Sequence, residues 1–157
     1  MAETDDYIAI RRLQDRYADT CSRQAWVEFD ELFVPEARIA LDLRDRTLEF
    51  TGPSEISGFI ANSLNQFSFF QFVIRNAVVD LNVDTVDDAA GRMWMSEFRK
   101  HVDDGRFSTI FGLYQDRFIR TPDGWRFSRR RYQSVACLLY TSPSPRDQRG
   151  SRMPSSA

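Results

Sequence analysis

An α+β fold, with helices first and a long antiparallel sheet after them, follows from three features of this 157-residue sequence. Apolar residues recur at helical spacing near the N-terminus. Three long strand-like runs then follow one another, joined by turn signals. Those runs, at 11 to 15 residues, would each span about 35–50 Å if flat, at about 3.3 Å per residue. A domain of this size cannot hold them flat, so the sheet is expected to be strongly twisted and bent around the helices. The result is a cone with an apolar interior, a shape suited to a ligand cavity.

Thr4 or Asp5 is placed to cap a first helix running to about Arg23, with Asp5 and Asp6 near its positive end. Ile10, Leu13, Tyr17 and Cys21 fall at spacings of 3, 4 and 4, a single apolar stripe. A short second helix is expected from Ala25 to Phe33, ended by Pro35. Ile39, Leu41 and Leu43 alternate with Arg38, Ala40 and Asp42 as in a half-buried strand, and Leu48–Phe50 returns after a turn. Gly52-Pro53-Ser54 opens a helix with Ile56, Phe59, Ile60 and Leu64 on one face. Long strands are expected over Phe69–Val83, Ala89–His101, Arg106–Arg120 and Trp125–Val135, with Asp103-Asp104-Gly105 and Thr121-Pro122-Asp123-Gly124 as turns. From Cys137 the pattern stops. In residues 138–157 eight of twenty are Ser or Pro, too little apolar area to offset ordering. Residues 1–136 are therefore read as the domain and 137–157 as a disordered tail. The tail string resembles translated sequencing-adapter or vector sequence, so it is read as non-native; a natural Ser/Pro/Arg tail is the alternative.

Composition narrows the function classes. At 42% hydrophobic and 13% aromatic the chain can bury a core. No apolar run approaches the roughly 18–20 residues that cross a bilayer, and no membrane partner is expected. The acidic start lacks a hydrophobic leader, which gives a cytoplasmic expectation. A net charge of −2, with Lys100 the single lysine, disfavours a nucleic-acid partner. Cys21 and Cys137 form no disulfide framework, and one histidine, His101, makes no metal site.

The stretch Arg16-Tyr17-Ala18-Asp19 with Trp26 and Leu32-Phe33 resembles the opening helices of SnoaL-like proteins of the nuclear-transport-factor-2-like superfamily. So does Gly112-Leu113-Tyr114-Gln115-Asp116-Arg117, followed by Asp123-Gly124-Trp125-Arg126-Phe127 and Arg130-Arg131. The resemblance implies a cone-shaped, cystatin-like α+β barrel over about residues 5–136, a cofactor-independent chemistry and a homodimer. The superfamily includes dehydratases, ketosteroid isomerases, polyketide cyclases, epoxide hydrolases and non-catalytic small subunits of ring-hydroxylating dioxygenases. Its dehydratases use a helix Tyr, an Asp five residues on, and a strand His. Here Tyr17 matches the Tyr, but Ser22 holds the Asp position and Gln71 or Phe72 the His position. Arg130 matches the family's C-terminal Arg.

The expected function is binding of a small apolar or polycyclic molecule, with proton transfer of isomerase, cyclase or dehydratase type as its catalytic form. The alternative is a non-catalytic binding or interaction module, such as a dioxygenase small subunit. Tyr17 is the candidate hydrogen-bond donor to a developing oxyanion, Asp116 the proton shuttle and Arg130 the charge stabiliser. Asp116 has a competing use, an ion pair with Arg130, and Glu97, on the Met93/Met95 face, faces the same alternatives. Trp26, Phe59, Phe72, Asn76, Trp94, Tyr114 and Phe118 are the candidate pocket residues. Phe69, Phe70 and Phe72 cover both faces of one strand, which points to a subunit contact on the convex face. Cys21 reads as a buried, inert thiol.

Overall fold

A computed structural model describes residues 2–140. Helix α1 (Ala2–Arg23) turns Ile10, Leu13, Tyr17 and Cys21 inward, and all four are buried. The helix begins at Ala2, two residues before Thr4 and three before Asp5, the caps expected, with Glu3 and Asp5 in its first turn. The second helix is shorter than expected, a 3₁₀ segment at Trp26–Glu31. Pro35 does not end it. Strand β1 (Phe33–Asp42) starts at Phe33 and contains the proline. The run Phe33–Val34 is buried, so tertiary packing takes these residues out of the helical pattern. Strand β2 (Thr47–Thr51) returns, and helix α2 (Gly52–Leu64) follows with Pro53 in its first turn. Gly52 has φ +82°, and a Cβ there would lie 2.6 Å from the Pro35 carbonyl oxygen, so this entry to α2 requires glycine.

The rest is the sheet: β3 (Phe67–Leu81), β4 (Asp88–His101), β5 (Phe107–Thr121) and β6 (Gly124–Tyr140). Strand order is β2-β1-β6-β5-β4-β3; β1 runs parallel to β6, and every other pair is antiparallel. The expected α+β architecture, helices inside a curled, mostly antiparallel sheet, is the one observed. Register shifts bend the strands, at Ile74/Asn76 in β3 and at Phe111/Gly112 and Arg117/Phe118 between β5 and β6. Strand β6 runs past the boundary expected after Ala136. Cys137, Leu138, Leu139 and Tyr140 pair with Ile110, Thr109, Ser108 and Phe107, so the ladder of β5 gives these residues partners that composition does not reveal. Residues 141–157, the remainder of the expected tail, lie outside the described residues. No helix among the described residues is long and apolar enough to cross a membrane.

Candidate functional site

One face of every long strand looks into the cone. Across the sheet, Phe72, Glu97 and Ile110 lie in one row, Ile74, Met95 and Gly112 in the next, then Ala77, Met93, Tyr114 and Tyr132. Helices α1 and α2 lie over these rows and leave a cavity of about 320 Å³, the small end of the range for ligand pockets. Gly112 is needed here, because a Cβ would collide with the Tyr132 ring and with Met95 Sδ. Without it Tyr132 could not fold across β5 to line the cavity.

Of the candidate site residues, Tyr17, Phe72, Tyr114, Phe59 and Arg130 line this cavity. Tyr17 is 2% exposed and makes edge contacts with Phe72 and Tyr114 at centroid distances of 5.5 and 5.9 Å. Burial pushes the Tyr17 and Tyr114 hydroxyls well above the ordinary tyrosine range, so both stay protonated donors. Cys21 also lines the cavity, and burial pushes its thiol up to about 12, which makes it inert.

Of the two uses expected for Asp116, proton shuttle and ion pair with Arg130, the structure shows the ion pair. Arg130 Nε and Nη2 donate to its two carboxylate oxygens at 2.7 and 2.9 Å, in a fully buried pair. Asp116 does not line the cavity. Burial raises its carboxyl against the pull of the guanidinium. Above the pair, the Arg130 guanidinium carbon stands 4.1, 4.0 and 4.2 Å from the ring centroids of Tyr17, Tyr114 and Phe127. Nη1, on the edge turned away from Asp116, has no hydrogen-bond partner among the described residues.

The carboxylate that does face the cavity is Glu97. Its side chain is 17% exposed and accepts from Arg99 Nη2 and Nε at 2.7 and 3.1 Å. Burial raises its carboxyl above the ordinary 4.5, outweighing Arg99. The alternation Met93, Met95, Glu97 places it on the inner face from sequence alone. Both carboxylates hold an arginine; its selection over Asp116 depends on which one reaches the cavity, and that is set by packing.

Four expected pocket residues lie elsewhere. Trp94 is 44% exposed on the outer face, opposite Met93 and Met95. Asn76 pairs with Trp94 there, because the extra residue Arg75 shifts the parity of β3 after Ile74. Trp26 packs from outside on Phe29, ring centroids 5.6 Å apart. Phe118 faces inward but is packed solid against Phe127 at 5.1 Å, below the cavity floor. Asp19, the carboxylate nearest Tyr17 in sequence, is exposed and paired with Arg23 at 2.8 Å.

Ser22, at the position expected to match the dehydratase Asp, is joined to Phe72, one of the two positions expected to match the His. The Phe72 N–H donates to Ser22 Oγ at 2.9 Å, and the Ser22 hydroxyl donates back to the Phe72 carbonyl at 3.5 Å. Neither can move a proton near neutral pH. No group of three or more His, Cys, Asp or Glu side chains converges as a metal site among the described residues.

Known proteins share this architecture. A candidate scytalone dehydratase of Novosphingobium aromaticivorans superposes with a TM-score of 0.76 at 17% identity, over 92% of this chain and 95% of that one. The hexachlorocyclohexane dehydrochlorinase LinA-type3 of Novosphingobium barchaimii gives 0.77 at 13% identity, over 90% and 97%. At such identities the likeness is one of fold. In sequence, the uncharacterized protein Rv2910c of Mycobacterium tuberculosis is 28% identical over 131 residues, covering 83% of this chain and 86% of that protein. The SnoaL-like domain family matches residues 2–131. With the helix-filled, curled sheet already described, that match places the chain in the SnoaL-like family of the nuclear-transport-factor-2-like fold.

Proposed function

We propose that the cone binds a small, mostly apolar organic molecule and that Glu97 exchanges a proton with it. The observation that carries this reading is a carboxyl group with a raised affinity for its proton, set in the wall of an aromatic cavity. Such a group can take a proton from an acidic C–H and return it elsewhere, the step shared by isomerisation and elimination. Tyr17 and Tyr114 are protonated donors for the oxyanion that forms, and the unpartnered Nη1 of Arg130 adds positive charge on the same side. Tyr17 and Arg130 thus keep the roles expected of them, while Asp116 becomes the group that holds Arg130 in place.

A planar ketone with acidic α-protons, 2-tetralone, tests this. In D₂O the protein should speed α-deuteration above the buffer rate, read by NMR. Glu97→Gln should remove about 10²-fold or more of that acceleration, and Tyr17→Phe a smaller part. Equal rates with wild type and Glu97→Gln would contradict it.

The Ser22–Phe72 hydrogen bonds favour a second reading, a binding module without turnover, because they fill the dehydratase acid/base positions with structure. Tight binding of the ketone with no deuteration would select it. In either case a homodimer through the outer face of the sheet is part of the proposal. Trp94, Phe69, Val78 and Val135 are between 38% and 48% exposed there, more apolar surface than an isolated domain gains from showing.

A further inference from the structure

The charges in the cavity wall do not cancel. Arg46, Arg99, Arg130 and Glu97 line it. Arg130 is neutralised from behind by Asp116, and Arg99 by Glu97 at 2.7 Å. Arg46, in the turn between β1 and β2, makes no ion pair among the described residues. Asp42 and Asp45 share its turn but do not line the cavity, and Asp42 Oδ1 is taken by the Arg44 N–H at 3.3 Å. With Asp116 counted behind it, the cavity wall therefore carries one cation more than there are carboxylates to match.

That extra charge sits at a particular end. Tyr17 and Arg130 are 2% and 1% exposed, whereas Arg46 and Gln66 are open to solvent. Leu43, Phe59, Ile60 and Phe67, also in the wall, are half-buried. The cavity thus runs from a solvent-facing end with an unmatched guanidinium, through an apolar passage, to the closed aromatic end at Tyr17. Arg99 stands beside the passage, its guanidinium carbon 5.0 Å from the Phe67 ring centroid.

We propose that the ligand is an amphiphilic carboxylate. Its acid group meets Arg46, with Arg99 as second donor, at the open end, and its apolar body lies inward toward Tyr17. The inference rests on the reading of the cone as a ligand site and adds the class of molecule. An apolar body alone would leave the Arg46 charge unused; a cationic ligand would be repelled by it. A carboxylate brings the wall to neutrality and accepts a charge-assisted hydrogen bond in a half-shielded position.

The test compares 2-naphthoate with its neutral isostere 2-naphthamide, by calorimetry or probe fluorescence on the full chain at neutral pH. The carboxylate should bind about five- to tenfold more tightly, between the strengths of an exposed ion pair and a buried charged hydrogen bond. The difference should shrink with added salt, because Arg46 faces water. Arg46→Gln, at an exposed position, should abolish the difference, chiefly by weakening naphthoate binding. Equal affinities in wild type, or a preference that survives Arg46→Gln, would overturn the proposal while leaving the cavity a ligand site. Failure of both probes to bind would overturn that underlying reading, and the proposal with it.

Discussion

Arg130 is a cation 1% exposed, stacked on three aromatic rings and held by one carboxylate. Removing Asp116 alone would strand that charge in a low-dielectric interior. Asp116→Ala should therefore cost about 3–5 kcal/mol in denaturant unfolding. Asp116→Leu combined with Arg130→Met should recover most of that loss, since a buried pair can often be replaced by apolar residues. Glu97 gives the second prediction at this scale. Its raised pKa means that the fold favours the neutral acid, so its contribution to stability is full below about pH 4.5. That contribution is lost as pH rises through the raised value. Glu97→Gln keeps a neutral group, so the variant's stability relative to wild type should increase as pH climbs through this window. Urea midpoints measured across pH check it; a pH-independent difference would mean that Glu97 titrates normally.

At the scale of elements, β3 is an edge strand, and α1 covers part of its free edge through Ser22. Ser22→Ala should cost about 1–3 kcal/mol by leaving the Phe72 N–H without a partner, and should speed amide exchange at Phe72 in particular. The other end of α1 is fastened by Asp6, which accepts from Arg120 at 2.7 and 2.8 Å and from Trp125 Nε1 at 3.0 Å. These bonds hold the Asp6 carboxyl below the usual range, so the stabilisation is lost as pH falls through its lowered value. Elements with strong periodicity were legible from sequence: the α1 stripe, the α2 face and the three late strands lie within a few residues of their expected bounds. Two features were not. Pro35 reads as a helix stop, yet it lies within β1, where the buried run Phe33–Val34 decides the conformation. The bulge at Arg75 carries no sequence signal and reverses the parity of β3, which moves Asn76 outside. The candidate site was legible in the same uneven way, with Tyr17, Phe72, Tyr114 and Arg130 on periodic inner faces. What alternation cannot tell is which carboxylate reaches the cavity and where along the cone the packing becomes solid. Phe118, expected in the pocket wall, is packed into the solid core, and of the two uses open to Asp116 in sequence the packing selects the ion pair with Arg130.

On the scale of the whole molecule, the cone has an aromatic-walled cavity inside and an outer sheet face that helices do not cover. A two-fold pairing of copies would bury the same outer patch on each. Trp94→Arg should shift the protein toward monomer in sedimentation velocity without changing ligand affinity; a wild-type protein monomeric at high concentration would contradict the dimer. The interior is tested most directly by where a ligand rests. With 2-tetralone bound to the isotope-labelled protein, nuclear Overhauser contacts should join its protons to the methyls of Ile56, Leu64 and Ile110, all in the cavity wall. Contacts confined to Trp94 and Val135 on the outer face, or none at saturating ketone, would contradict the claim that the cone is the functional site.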